Sequence, residues 1–149
     1  MRVYLDLCCL KRPFDLQEQA IIRLQTEAVL SILALPPETV ELVQSPALVL
    51  ENSLNSNPAR REAVALWLSE AVAVAPDETA LAVRIDELIA KGFKSFDAFH
   101  LASAELSGAN VFLTVDIQAL RLASRVAGEL RIPVNDPVHF LEEISQWKH

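Results

Sequence analysis

Short apolar segments alternate with longer amphipathic segments along this chain, and this alternation constrains the fold more than any other feature. The apolar segments predict β-strands at residues 2–7, 40–43, 111–115 and 132–134. They are continuous apolar runs without a regular apolar–polar alternation, which is typical of strands that are buried on both faces. The pattern therefore predicts an α/β fold, with a central parallel sheet of four to five strands flanked by helices.

The segments between these strands have helical spacing and carry helix start and stop signals. Asp15 and Ser95 are predicted to cap helices, Pro46 suits a first helical turn, and Gly92 suits a helix end. The predicted helices cover residues 16–35, 46–54, 59–72, 79–91, 96–107, 117–128 and 137–147. Because no linker, internal repeat or low-complexity segment interrupts the chain, we expect one domain over residues 1–149.

Composition narrows the classes of function. The 3 Gly residues cannot form a glycine-rich phosphate-binding loop. A formal net charge of −7 argues against broad adhesion to nucleic acid, but not against a nuclease whose catalytic carboxylates add to that charge. Cys8 and Cys9 are adjacent, so we expect small buried residues and no disulfide between them. A cytoplasmic protein is expected, because there is neither a signal-peptide pattern nor an apolar stretch of membrane-spanning length.

Four acidic residues lie near the points where a predicted strand ends and a helix begins: Asp6, Glu51, Asp97 and Asp116. Taken singly, each has an ordinary explanation as a helix cap, a first-turn residue or a solvated side chain. In an open parallel sheet, however, ligands bind outside the carboxyl ends of the strands. Carboxylates that converge there repel each other unless a cation such as Mg²⁺ or Mn²⁺ lies among them. The set therefore predicts a metal-dependent site for phosphoryl transfer.

The order of these motifs resembles the PIN-domain family of ribonucleases, which includes the VapC-type toxins. The resemblance covers nearly the full length of the chain. It is carried by the segments Tyr4 to Asp15, Asn57 to Glu62, Asp97 to Glu105, Phe112 to Asp116 and Ile132 to Leu141. It implies a three-layer PIN-like fold.

Matched position by position, the resemblance implies a catalytic and metal-binding quartet that holds Mg²⁺ or Mn²⁺. Its members are Asp6, Glu51, Asp97 and Asp116, and the hydroxyl of Thr114 supports them. The family commonly places Ser, Thr or Asn at one of the two positions after the first Asp, where this chain has Leu7 and Cys8. We therefore expect a polar contact to be missing there. This departure leaves open a catalytically silent PIN-like module that only binds protein partners.

The implied activity is metal-dependent hydrolysis of RNA phosphodiester bonds, as in the toxin of a toxin–antitoxin pair. The resemblance also implies a homodimer, and a cognate antitoxin that binds near Asp6 and Glu51. Arg12 and Lys94 are candidates for contact with RNA phosphates. His100, one turn after Asp97, is expected to be a packed and hydrogen-bonded core residue rather than a catalyst.

Two predicted helices, 16–35 and 46–54, carry more apolar residues than one core-facing stripe needs. The second contains Leu48, Val49, Leu50 and Leu54 in close succession. Exposed apolar patches usually mark an interaction site, so these helices predict a partner surface, unless both are buried on two sides.

Overall fold

The computed structural model describes residues 1–147 and has a sheet of five parallel strands at its centre. The strands are β1 (Arg2–Leu5), β2 (Glu41–Gln44), β3 (Val72–Ala73), β4 (Val111–Leu113) and β5 (Val134–Asn135). Their spatial order is β3-β2-β1-β4-β5, so β1 lies in the middle. Val3 of β1 pairs with Leu42 on one side and with Val111 on the other. The predicted all-parallel sheet is confirmed.

Helices cover both faces of this sheet. In β1, Val3, Tyr4 and Leu5 are consecutive and all buried. Because successive side chains of a strand point to opposite faces, burial of all three requires packing on both sides. The three residues of β4 are buried in the same way. The fold therefore has three layers, as predicted.

Eight α-helices connect the strands within the described residues. They are α1 (Leu7–Lys11), α2 (Ala20–Leu33), α3 (Pro46–Ser53), α4 (Pro58–Ser69), α5 (Glu78–Ala90), α6 (Ser95–Leu106), α7 (Ile117–Arg125) and α8 (Pro137–Trp147). Ser45, Asn57 and Asp77 each accept a hydrogen bond from the backbone N–H three residues on, which starts α3, α4 and α5. No helix in this part of the chain has the length and apolar character needed to cross a membrane.

The first predicted helix, 16–35, is shorter in the structure and begins at Ala20. Asp15 does not cap it. This residue follows the end of a 3₁₀ helix, Arg12–Phe14, and its carboxylate accepts a hydrogen bond from the guanidinium of Arg12. The amide of Gln17 donates to the carbonyls of Arg12 and Asp15, which stabilises an irregular connection at this point.

Other boundaries differ where a local interaction competes with the sequence pattern. The first strand ends at Leu5, because Asp6 caps the short helix α1, which the sequence pattern did not predict. Helix 59–72 ends at Ser69, and Val72–Ala73 forms the unpredicted edge strand β3. Ser95 is the first residue of α6 and makes no side-chain cap. Helix 117–128 ends at Arg125, and a 3₁₀ helix, Ala127–Glu129, follows it.

A buried ion pair joins α5 to α6. The guanidinium of Arg84 donates to both carboxylate oxygens of Glu105, at 2.6 and 3.0 Å, and to the carbonyl of Glu129 at 2.9 Å. The side chain of Arg84 is 6% exposed and that of Glu105 is fully buried. Gly92, with φ of 114°, makes the turn between the two helices. Together these contacts fix α6, which carries Asp97 and His100, against the rest of the fold.

Candidate metal centre

Asp6 occupies the centre of the carboxyl edge of the sheet, directly after the middle strand. Its backbone N–H donates to the carbonyl of Leu113 in β4, at 2.9 Å. Its Oδ1 accepts from the backbone N–H of Leu7 at 2.8 Å, and its Oδ2 accepts from the hydroxyl of Thr114 at 2.9 Å. The residue is 4% exposed. Both carboxylate oxygens are therefore held in fixed directions, and Thr114 lies where a supporting hydroxyl was predicted.

Cys8 supplies the polar contact that was expected to be missing. Its Sγ lies 3.3 Å from Oδ2 of Asp6 and 3.3 Å from Oγ1 of Thr114. The expectation that a polar contact is missing at the two positions after Asp6 is therefore wrong. Cys9 is fully buried, and this burial raises the pKa of its thiol well above the usual value. It behaves as the small core residue that was predicted, whereas Cys8 is half-buried and faces the centre.

Glu51 reaches the centre from α3 and meets His100 from α6. Nε2 of His100 lies 2.9 Å from Oε1 of Glu51 and 3.7 Å from Oδ1 of Asp6. Because an ionised carboxylate only accepts hydrogen bonds, Nε2 carries the proton in this arrangement. Asp6, Glu51 and His100 each offer a ligand atom within 4.8 Å of the other two. These three residues, hereafter the trio, form a compact group of donor atoms.

His100 is buried and hydrogen-bonded, as the sequence predicted, but its contact with two carboxylates was missed. Its Nδ1 lies 2.8 Å from the hydroxyl of Tyr4, which in turn lies 2.6 Å from Oγ of Ser45. The one available signal was its position a turn after Asp97, on a helix that starts at the carboxyl edge. Burial raises the pKa of the Tyr4 hydroxyl well above its usual value, so this group stays protonated.

Asp97 lies in the first turn of α6 and is electrostatically coupled to the other acidic residues. Burial, together with the charges of Asp6 and Asp116, raises its pKa from 3.8 to about 6. The nearby His100 and Lys94 act in the opposite direction. A carboxylate whose pKa is raised by its neighbours gains from a bound cation, because the cation offsets the repulsion. The donor chemistry at this edge therefore fits a divalent ion.

Asp116 caps α7 and also faces this edge. Its Oδ1 accepts from the backbone N–H groups of Gln118 and Ala119, at 2.9 and 3.1 Å. Both bonds use the same oxygen, which leaves Oδ2 for another ligand. The structure thus brings Asp6 and Glu51 into the trio and places Asp97 and Asp116 outside it, although their charges act on the same centre.

The two basic residues predicted to contact RNA lie at the rim. Arg12 pairs with Asp15 at 3.0 Å and lines a cavity of about 280 Å³ together with Lys11, Cys8 and Asp116. Lys94 is exposed, immediately precedes α6 and lowers the pKa of the neighbouring Asp97. Positive charge is therefore present beside the acidic centre despite the net negative charge of the chain.

Comparison with known proteins identifies a family and a similar fold. A family model described as PIN domain matches residues 5–125. Among solved structures, the 2.2 Å structure of VapBC-1 from nontypeable Haemophilus influenzae is similar, with a TM-score of 0.56 and 15% sequence identity. The match covers 92% of this chain and 98% of that chain. A search of curated proteins returns no match. At such low identity, the structural match is evidence for the fold alone.

Proposed function

This chain belongs to the PIN domain family, and from that premise we propose that it is a divalent-metal-dependent ribonuclease that hydrolyses RNA phosphodiester bonds. One observation carries the proposal: the buried carboxylate of Asp6 lies beside Glu51 at the carboxyl edge of the sheet, and partial burial together with the charges of Asp6 and Asp116 raises the pKa of Asp97. Such a group costs free energy in the empty protein, and oxygen-rich donor sets of this kind suit Mg²⁺ or Mn²⁺.

We assign both metal binding and catalysis to the acidic quartet: Asp6, Glu51, Asp97 and Asp116. When bound, a divalent ion would neutralise charge on a phosphate oxygen and make water a stronger nucleophile at neutral pH. Glu51 is 30% exposed at its side chain, so it is the member of the trio that an incoming substrate or water can reach.

The protein's own contribution is to hold these carboxylates in place before any ligand arrives. Thr114 and Cys8 fix one oxygen of Asp6, and the N–H of Leu7 fixes the other. The helix cap fixes Asp116, and the backbone N–H of Asp116 donates to Oγ1 of Thr114 at 3.2 Å. Side chains locked in this way need little reorganisation during the reaction, which favours catalysis.

Substrate binding is assigned to the basic rim. Arg12 and Lys94 are far apart in the sequence but lie next to the same acidic centre. Arg12 lies beside Asp116, and Lys94 lies beside Asp97. Positively charged side chains position a nucleic acid through its phosphates and carry no base specificity. We therefore propose that both residues contribute to RNA affinity and leave the sequence preference to other contacts.

We further propose that the protein is the toxin of a toxin–antitoxin pair, that it forms a homodimer and that it binds a cognate antitoxin. The similar solved structure is described as VapBC-1, which supports a partner protein. Val49, Leu50 and Leu54 are 48, 49 and 65% exposed, on or next to the helix that carries Glu51. A partner that covers this apolar surface would lie close enough to place a basic side chain against the acidic centre.

A catalytically silent module is the second candidate, but the feature that favoured it is not present in the structure. It drew support from the missing polar contact after Asp6, and Cys8 provides that contact. Binding of a partner without RNA cleavage is the behaviour that would distinguish the module from the nuclease.

The test is cleavage of a broad RNA panel by purified protein with Mn²⁺ and with chelator. Asp6→Asn and Asp97→Asn should abolish Mn²⁺-dependent cleavage while the protein stays folded, because each replacement removes a charge at nearly constant shape. Asp77→Asn is the matched control, since Asp77 caps α5 and is not one of the proposed metal ligands. Wild-type protein that binds Mn²⁺ but cleaves no RNA in the panel would favour the silent module.

A further inference from the structure

We propose that His100 is a nitrogen ligand in this centre, and that the centre therefore binds a first-row transition-metal ion in preference to Mg²⁺. The inference rests on the proposed function, because it concerns the same carboxylates. With His100 as a ligand, the donor set includes one nitrogen, whereas the acidic residues alone would provide only oxygen. The ligand atoms concerned are Oδ1 of Asp6, Oε1 of Glu51 and Nε2 of His100.

The spacing of these atoms suits three ligands of one ion. Protein ligands lie about 2.0–2.2 Å from an ion such as Zn²⁺, so two neighbouring ligands are separated by about 3.0–3.5 Å. The observed separations from Nε2, 2.9 Å to Glu51 and 3.7 Å to Asp6, lie just below and just above this range. In the metal-free arrangement the proton on Nε2 occupies the place that the ion would take, so metal binding requires the other tautomer, with the proton on Nδ1 facing the hydroxyl of Tyr4. Small movements of the Glu51 side chain, which is partly exposed, would admit the ion.

The surroundings of His100 hold its ring in the orientation that a ligand needs. The residue is 1% exposed, and its ring packs edge-on against Tyr4. A histidine that binds metal through one nitrogen usually donates the other N–H to a neighbouring oxygen, which fixes the ring and its tautomer. Here the hydroxyl of Tyr4, 2.8 Å from Nδ1, is that oxygen. The Tyr4 hydroxyl can then donate to Oγ of Ser45, 2.6 Å away. Both the N–H of His100 and the O–H of Tyr4 therefore have an acceptor.

Metal preference follows from the donor types. Imidazole nitrogen suits transition metals, whereas Mg²⁺ is bound by oxygen and retains several of its waters. A site with two carboxylates and one imidazole should therefore hold Co²⁺ or Mn²⁺ more tightly than Mg²⁺. Replacement of His100 should remove this preference without removing the carboxylates.

Metal binding to RNA-free protein tests the proposal independently of catalysis. Pulsed electron paramagnetic resonance of the Mn²⁺-loaded wild type should show coupling to a histidine nitrogen, identified with isotopically labelled histidine. The coupling should disappear in His100→Gln and persist in His139→Gln, whose histidine pairs with Asp136 at a different, exposed position. By titration, His100→Gln should weaken Co²⁺ binding by at least about 10–100-fold, the loss seen when a residue that only supports a ligand is replaced, and should change Mg²⁺ binding much less.

Two negative results of these binding experiments have different consequences. Mn²⁺ binding without any histidine coupling in the wild type overturns the ligand role of His100 and leaves the carboxylate site of the proposed nuclease intact. No Mn²⁺, Co²⁺ or Mg²⁺ binding at all overturns the metal site, and with it the proposed function. If His100→Gln does not fold, the labelled wild type and His139→Gln still decide, because absence of coupling in both contradicts the proposal.

Discussion

At the scale of single residues, Asp6 shows which parts of a site a sequence can predict. When two apolar strands are each followed by an Asp, the sequence indicates an acidic centre, because the carboxyl ends of parallel strands lie at the same edge of the sheet. The partners of Asp6 could not be predicted in the same way. Thr114, Cys8 and His100 meet it through folding, and the contact between Cys8 and Thr114 joins residues 106 positions apart in the chain. The thiol of Cys8 also donates to Asp6, at a position where the family commonly has a hydroxyl or an amide.

Cys8 gives a prediction at this scale. Cys8→Ser should retain RNA cleavage, because a hydroxyl can donate to Oδ2 of Asp6 as the thiol does. Cys8→Ala should lower the catalytic rate, since Asp6 loses one of its fixed partners, while Thr114 still holds the same oxygen. The measurement is the single-turnover cleavage rate of both variants at saturating Mn²⁺. Equal rates for the two variants would show that the thiol contact has no part in the reaction.

Asp97 gives a second prediction, for stability against pH in metal-free protein. Its pKa rises from 3.8 to about 6 on folding, so the folded state favours the protonated form. The resulting stabilisation is complete below the unfolded pKa and is lost as pH rises from about 4 to about 7. The free energy of unfolding of the wild type, minus that of Asp97→Asn, should therefore fall over this interval in chelator. Saturating Mn²⁺ should oppose the fall, because the cation favours the ionised carboxylate. A difference that stays constant with pH would contradict the coupling.

At the scale of helices and strands, periodicity located most elements but not those set by tertiary contacts. The five-residue helix α1 was missed because it is too short for a periodic pattern and depends on the cap by Asp6. The two-residue strand β3 was missed because its residues read as the end of a helix, and only pairing with β2 makes it a strand. The Arg84–Glu105 pair was also missed, since nothing in the spacing of two charged residues on different helices indicates burial.

That ion pair carries the prediction at this scale. Arg84→Ala should destabilise the fold by about 3–5 kcal/mol, because it leaves Glu105 charged, buried and unpaired. The double variant Arg84→Met with Glu105→Gln should be markedly less destabilised, as it removes both charges and keeps an acceptor for the N–H of Arg131. Denaturant unfolding measures both.

Lys91 provides the comparison for Arg84. Its ion pair with Glu129, at 3.3 Å, lies at the surface, so Lys91→Ala should cost no more than about 1 kcal/mol. A loss for Arg84→Ala as small as this would show that the buried pair does not hold α5 to α6.

At the scale of the whole molecule, the fold class followed directly from the sequence, while the surface did not. Continuous apolar runs indicated a parallel sheet covered on both faces, and the structure has one. The sequence left open whether the surplus apolar residues of the second predicted helix are buried. Leu48 is fully buried, but Val49, Leu50 and Leu54 are largely exposed. Helix α2 likewise exposes Ile21, Leu24 and Leu30.

These exposed residues support the prediction of a homodimer at micromolar protein concentration. A contiguous apolar patch on a folded protein marks an interaction site, and the homodimer prediction requires that these residues form one. Light scattering coupled to size-exclusion chromatography should give twice the mass of the chain. A monodisperse monomer would refute the dimer and would leave the exposed residues of α2 and α3 to a different partner.

If the carboxylate centre holds the divalent ion of the proposed nuclease, RNA cleavage depends on that ion. The most direct test is to titrate metal-free protein with Mn²⁺ and to follow bound Mn²⁺ and RNA cleavage on the same samples. The two curves should rise together, and Asp97→Asn should move or abolish both, because the same carboxylates bind the ion and position the reaction. Cleavage that persists at full rate in chelator, or that rises independently of bound Mn²⁺, would show that the reaction does not depend on an ion at this centre.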